Sequence, residues 1–208
     1  MNMKNVDKKV TWYQDSPAVY NAMIDMQLKE EKRMPPHLPP ALEIINEISK
    51  DCKSILDVGC GAGAISRYLN EFDYTGCDLQ NIVENVAKKY LPEQQFVVCD
   101  FYNDDLAFVK NYDLVFMNAF LDVSQYPVDI LKKVLENSSK YVLIHRQLIT
   151  DEDTVTQKEH SYGGTLSYRT FINKGEFGTV IKEANFEIVK GLNLPGDYGV
   201  TILLKKRG

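Results

Sequence analysis

The chain has 208 residues, of which 44% are hydrophobic and 25% charged, and its formal net charge is −5. That length suits one domain with a sizeable core, and the apolar content excludes a disordered chain. The negative balance argues against bulk affinity for a nucleic-acid backbone, and Lys205, Lys206 and Arg207 read as a solvated tail after the last strand.

The N-terminal residues MNMKNVDKKV lack the apolar centre of a signal peptide, and no apolar run is long enough to span a bilayer. The expectation is a cytoplasmic protein with neither membrane nor nucleic-acid partner. Cys52, Cys60, Cys77 and Cys99 form no CxxC pair and read as small buried hydrophobes, with no metal site.

Residues 1–40 read as a helical cap and a stiff connector. Val19, Ala22, Met23, Met26 and Leu28 fall near helical spacing, Trp12 and Tyr13 precede them, and the proline cluster Met34–Pro40 cannot continue a helix. From Ala41 to the end, apolar strands alternate with helical patterns. A helix at Ala41–Ile48 leads to the strand Ser54–Val58, and a glycine turn opens a helix running through Asn70. Next come a strand at Tyr74–Asp78, a helix at Asn81–Tyr90, the strand Gln95–Cys99 and a short helix after Asn103. Then follow the strand Tyr112–Asn118, a helix at Val128–Asn137 and the strand Tyr141–His145. The polar segment Thr150–Ser167 breaks this rhythm and reads as an irregular lid. Asn173 and Glu176 have capping-box spacing, which predicts a helix to Ala184. The last strands, Phe186–Val189 and Val200–Leu204, are joined by a link too short for a parallel crossover. The fold class is therefore α/β, a doubly wound, mostly parallel sheet carrying an antiparallel strand near its end.

The segment from Ile55 to Ser66, ILDVGCGAGAIS, is the strongest chemical signal. Gly59, Gly61 and Gly63 allow a tight turn that a ligand can approach closely, and the start of the following helix suits a phosphate or a carboxylate. The spacing of Gly59, Gly61 and Ala64 also fits a dinucleotide fingerprint, with Asp78 placed for a ribose. Two features shift the balance. Asp57 stands two residues before Gly59, where an anion opposes a pyrophosphate but pairs with a ligand's ammonium group. Asp100 and Phe101 end the third strand, where an acid accepts an adenine amino proton and an aromatic packs the ring.

On these residues, from about Ile48 to Lys205, the chain resembles the class I S-adenosylmethionine-dependent methyltransferases. Leu56–Gly63, LDVGCGAG, is similar to the family's first motif. The resemblance implies a seven-stranded sheet with an antiparallel last strand, here with the N-terminal cap added, and S-adenosyl-L-methionine as cofactor. It implies that Gly59 and Gly61 line the methionine part of the cofactor, with Asp57 near its amino group. It further implies that Asp78 holds the ribose hydroxyls and Asp100, with Phe101, the adenine. Cys60, Leu79 and Asn118 complete the expected cofactor wall. Asn118-Ala119-Phe120-Leu121 lacks the prolines of the amide-methylating members and points to a small-molecule acceptor for O- or N-methylation.

Asp122 and His145, at the ends of neighbouring strands, are the candidate catalytic residues, and His145 has the better intrinsic pKa for a base. Arg146, Tyr162, Tyr168 and Arg169 are the candidate acceptor-binding residues, the arginines suiting a phosphate or carboxylate. A nicotinamide-dependent oxidoreductase and a non-catalytic cofactor-binding module are the competing readings.

Overall fold

The computed structural model of the chain describes residues 17–161 and 165–208. Trp12 and Tyr13 lie outside the described residues, as do Tyr162, Gly163 and Gly164. The elements are α1 (Pro17–Lys32), α2 (Leu38–Glu47), β1 (Ser54–Val58), β2 (Asp73–Asp78), α3 (Gln80–Ile82), α4 (Lys88–Tyr90) and β3 (Gln95–Val98). They continue with β4 (Leu114–Asn118), α5 (Pro127–Asn137), β5 (Tyr141–Thr150), β6 (Val155–Ser161), β7 (Thr165–Asn173), α6 (Lys174–Glu183), β8 (Phe186–Asn193) and β9 (Val200–Lys206). A π turn, Val83–Ala87, joins α3 to α4, so the helix predicted at Asn81–Tyr90 is present with one widened turn.

Strands β3, β2, β1, β4 and β5 pair in that order, all parallel. Strand β9 then adds antiparallel to β5, and β8 closes the edge antiparallel to β9. These seven strands form the sheet expected from the sequence.

Two strands were not expected. The polar segment after β5 folds as β6 and β7, antiparallel to each other, and β7 pairs in parallel with the far end of β5 through Leu148, Ile149 and Thr150. Strand β5 therefore runs five residues beyond its predicted end, and His145 sits within it rather than at its tip. The β-branched and aromatic residues flanking Gly163-Gly164 carry the hairpin signal.

The helix expected between the glycine turn and Asn70 is instead a short 3-10 turn, Ala64–Tyr68. Nine residues separate Gly63 from Asp73, and they must return along a five-residue strand about 16 Å long. An α-helix of all nine rises only about 14 Å, so the helical part is confined to five residues and the remainder is non-helical.

Alternation along β1 sends Leu56 and Val58 to one face of the sheet and Ile55 to the other. On the first face they meet α5 and α6, through Ile130, Leu131, Val134, Phe177 and Ile181. Each fully buried aliphatic side chain contributes about 1.5–3 kcal/mol, so packing rather than propensity holds the 11-residue α5. On the second face Ile55 and Phe116 meet Leu38, Ala41, Ile44 and Ile45 of α2. Helix α1 packs at one end, where Val19, Tyr20 and Met23 cover Ala62, Ile82 and Val86. That contact brings α1 over the glycine turn. Helix α6 begins as expected: the Asn173 side chain accepts from the amides of Gly175 and Glu176. Among the described residues, no helix is long and apolar enough to cross a membrane.

Candidate active site

The carboxyl ends of β1–β5 border a cavity of about 360 Å³. Gly59, Cys60 and Gly61 form one wall, with Asp78, Leu79 and Ile82 following β2. Cys99–Tyr102 and Asn118–Phe120 supply the walls after β3 and β4, and Arg146 the wall from β5. Met23, Met26 and Gln27 of α1 complete the lining from above, with His37 and Tyr198. Eight of the nine expected cofactor residues thus line this space; the ninth, Asp57, lines a recess beside it.

The glycine turn has φ values of +68°, +55° and +73° at Gly59, Gly61 and Gly63, which only glycine adopts without strain. A Cβ at Gly59 would lie 2.4 Å from Cδ2 of Phe120, so the bare backbone also admits that ring against the turn. The turn's amides are already engaged. Those of Gly59 and Cys60 donate to the Cys77 carbonyl, that of Gly61 to Asp78 Oδ2 at 2.9 Å and that of Gly63 to the Cys60 carbonyl. Few donors are left for a pyrophosphate, and the 3-10 turn supplies no α-helical N-terminus.

Acceptors, by contrast, are abundant here. Asp57, Gln27 and Asn118 line a recess of about 70 Å³ against Gly59 and Cys60. Gln27 Oε1 and Asn118 Oδ1 are buried without a hydrogen-bond partner among the described residues. Asp57 is 3% exposed and accepts from the Tyr74 hydroxyl at 2.7 Å. Burial pushes its carboxyl up to about 7 against the lowering effect of that hydrogen bond, and the neighbouring Asp78 adds to the rise. Three acceptors and a reluctant carboxylate suit a cationic, donor-rich group.

Asp78 accepts from Gly61 N through Oδ2 and from Leu79 N through Oδ1. These bonds lower its pKa, but burial outweighs them and raises it to about 6. Each oxygen keeps a second lone pair for a ligand hydroxyl. Asp100 lines the cavity while its side chain holds the turn after β3, accepting from Tyr102 N, Asn103 N and Asn103 Nδ2. Phe101 and Phe120 meet edge to face at 5.3 Å between centroids, forming an apolar wall beside it.

Arg146 is set by a defect in the sheet. The β5–β9 register shifts between His145 and Gln147, and Arg146 at this bulge has φ +66°. A bulge re-aims the side chain it carries, and a left-handed arginine stores strain of the kind found at functional positions. Its guanidinium lies 5.3 Å from the centre of the Tyr198 ring, and its Nε is buried without a partner among the described residues.

The two candidate catalytic residues are placed differently, His145 behind the main cavity and Asp122 in a recess beside it. His145 is 1% exposed and lies behind His37, the residue that lines the cavity. His145 Nε2 is 3.2 Å from His37 Nδ1, and His145 Nδ1 is 2.7 Å from Thr201 Oγ1. Burial, then His37, then Arg146 lower His145 to about 3; burial and Arg146 lower His37 to about 4. Both imidazoles are therefore neutral at pH 7. Asp122 lines a separate recess of about 160 Å³ together with Arg146, Glu159, Tyr168, Arg169 and Asp197. Three of the expected acceptor residues thus share one recess, which meets the main cavity at Val123, Arg146 and Tyr198. The fourth, Tyr162, lies outside the described residues. Asp122 Oδ1 is buried without a partner among the described residues, and burial raises its carboxyl to about 6 against the pull of Arg146.

Sequence reasoning missed His37, Gln27 and Tyr198. His37 sits among Pro35, Pro36, Pro39 and Pro40, and Tyr198 between Gly196 and Gly199; such rigid or sharply turned surroundings were the available signal.

A methyltransferase-domain family model matches residues 56–138, from β1 through α5. Malonyl-[acyl-carrier protein] O-methyltransferase 1 from Ilyobacter polytropus is 31% identical over 150 residues, which cover 68% of this chain and 46% of the relative. The chain thus spans under half the length of that curated relative. A SAM-dependent methyltransferase from Methanosarcina mazei superposes with a TM-score of 0.61 at 18% identity, covering 78% of this chain and 96% of that one. The amino pentose methyltransferase CalS10 from Micromonospora echinaspora, solved with SAM bound, superposes with a TM-score of 0.63 at 13% identity, covering 96% and 99%. At such identities these two likenesses concern the fold.

Proposed function

We propose that the chain is a class I S-adenosylmethionine-dependent methyltransferase, supported by the matched methyltransferase domain and the Ilyobacter relative, and that it methylates a small, carboxylate-bearing acceptor. The observation that carries this reading is the division of polar groups in the cavity. Acceptors cluster at the glycine turn, while Arg146 on β5, whose Nε is a buried donor without a partner among the described residues, lines the same cavity. Asp57, Gln27 and Asn118 fit the cofactor's amino group, Asp78 its ribose, and Asp100 with Phe101 its adenine. When bound there, S-adenosylmethionine supplies an electrophilic methyl group on a sulfonium.

The protein's part is to bind, orient and exclude water. Arg146 pairs with the acceptor carboxylate, and Asp122 balances the guanidinium from the neighbouring recess. Met23 and Met26 cover the cavity with apolar surface, giving α1 and the connector after it the role of a cap. An ionised carboxylate already carries its nucleophilic lone pair, so no base is required. This agrees with the neutral, weakly basic state of His37 and His145. The malonyl acceptor named for the Ilyobacter relative is of the same chemical class.

The committed amides of the glycine turn disfavour a nicotinamide dinucleotide. Calorimetry with S-adenosylhomocysteine and with NAD tests the cofactor, and binding of NAD alone sinks the reading. A panel of short dicarboxylates and their thioesters, followed by S-adenosylhomocysteine release, tests the acceptor. Cofactor binding without turnover across that panel favours a non-catalytic module instead.

A further inference from the structure

We propose that His37 presents its Nε2–H to the cavity as a hydrogen-bond donor to the acceptor, with its tautomer fixed by Thr201 through His145. The inference rests on the anionic-acceptor reading above. His37, in the connector between α1 and α2, thereby becomes a residue that selects the acceptor, and His145 and Thr201 become positioning residues.

Thr201 on β9 is 0% exposed, and its hydroxyl has one hydrogen to place. Its partner among the described residues is His145 Nδ1, at 2.7 Å. A buried hydroxyl hydrogen without an acceptor loses its solvation with no return, so Thr201 donates and His145 Nδ1 accepts. A neutral imidazole carries a single N–H, which places the His145 hydrogen on Nε2. At 3.2 Å that group donates to His37 Nδ1. The His37 hydrogen is then on Nε2, the ring nitrogen that His145 does not use. Reversing every bond would make His37 an acceptor, but would strand the Thr201 hydrogen in the core.

The surroundings hold this arrangement. Phe116 stacks on His145 at 6.2 Å between centroids, and Tyr198 packs on His37 at 5.1 Å. Tyr198 also lies beneath the Arg146 guanidinium. One aromatic ring therefore orients two donors, a neutral imidazole and a cation, bordering the same cavity. Burial and Arg146 keep both imidazoles uncharged, so His37 adds direction to the site without adding charge. A pair of donors of this kind matches the two oxygens of a carboxylate.

The test is nitrogen-15 NMR of the imidazole rings in the full chain, bound to S-adenosylhomocysteine and titrated with malonate as the anionic probe. The chain has 3 histidines, which makes assignment by substitution direct. Expected are neutral Nε2–H tautomers for His37 and His145, with the His37 Nε2–H resonance moving as malonate binds. In Thr201→Val, of nearly the same shape, the pair is free to reverse; mixed tautomers and about two- to tenfold weaker malonate binding are expected. An Nδ1–H tautomer at His37 in the unmodified protein overturns the inference, as does an unchanged tautomer in Thr201→Val. The first of these measurements needs no variant to fold. Malonate that binds without moving His37 overturns the donor role alone. Malonate that fails to bind overturns the anionic-acceptor reading along with it.

Discussion

His37 Nδ1 and His145 Nε2 lie 3.2 Å apart, joining the proline-rich connector to the middle of β5. Both imidazoles have folded pKa values far below 6.5, about 4 and about 3. The unfolded chain therefore binds more protons than the folded one below pH 6.5, and the pair's contribution to stability falls as pH falls from there towards 4.

His37→Gln should accordingly lose stability relative to the unmodified protein at pH 7, and the gap should narrow at pH 5. The expected narrowing is on the order of 1–2 kcal/mol. Urea unfolding at the two pH values measures it. A gap independent of pH means that the imidazole titrates in the folded protein as it does in the unfolded chain, and a gap that widens at pH 5 means that it is charged there; either outcome sinks the assignment.

Asp57 should show the opposite sign. Its folded pKa, about 7, lies above the ordinary 3.8, so the folded state favours the protonated form. Its contribution is full below pH 4 and is lost as pH rises through 7. Asp57→Asn keeps an acceptor for Tyr74 and never ionises. It should raise the melting temperature more at pH 8 than at pH 5, while weakening S-adenosylhomocysteine binding. Equal shifts at both pH values contradict the account.

Asp57, Gly59, Gly61 and Asp78 were legible in the sequence because local rules govern them. Each lies in the last turn of an apolar strand or just after it, and the alternation that buries Leu56 and Val58 also fixes where Asp57 goes. The antiparallel β9 was legible too, since the short link after β8 leaves no room for a crossover. What could not be read was long-range. His37 meets His145 across 108 residues, and a proline connector does not announce what it delivers. In the sequence His145 reads as a strand end; the structure continues β5 by pairing its second half with β7. Arg146 reads as a cation for an acceptor phosphate or carboxylate, whereas its direction comes from a bulge that depends on β9. The helix after Gly63 failed for a geometric reason, the distance back to β2, which no propensity encodes.

Asp78→Ala should loosen the glycine turn as well as remove a ligand contact, because Gly61 N and Leu79 N both lose their acceptor. A hydrogen bond to a charged group is worth about 1.5–3 kcal/mol. S-adenosylhomocysteine affinity should fall by at least about tenfold. Calorimetry that finds the affinity unchanged removes Asp78 from the cofactor site.

Arg146→Gly should separate stability from acceptor binding. Glycine adopts φ +66° freely, which recovers about 1–2 kcal/mol, but it gives up backbone entropy and the contact with Tyr198, each worth about 0.5–1 kcal/mol. Net stability should change by less than about 1 kcal/mol. Cofactor affinity should hold, and kcat/KM for a carboxylate acceptor should drop at least about tenfold. A parallel loss of cofactor affinity would place Arg146 elsewhere in the mechanism.

Gly199→Ala tests how the β8–β9 turn supports the site. Gly199 has φ +77°, and a Cβ there would lie 2.3 Å from the Gln147 carbonyl oxygen, a backbone atom of the bulge beside Arg146. Backbone cannot rotate aside as a side chain can, so strand β9 or the bulge must shift, carrying Tyr198 or Arg146 with it. The expected loss is at least about 2 kcal/mol in urea unfolding, with weaker malonate binding. Gly191→Ala, in the adjoining strand β8, is the matched control. A Cβ there meets nothing within 4 Å, and stability should move by no more than about 0.5 kcal/mol. If the two variants behave alike, the close approach of Gly199 to β5 is not what fixes the bulge, and the strained Arg146 must be held by its own contacts in the cavity.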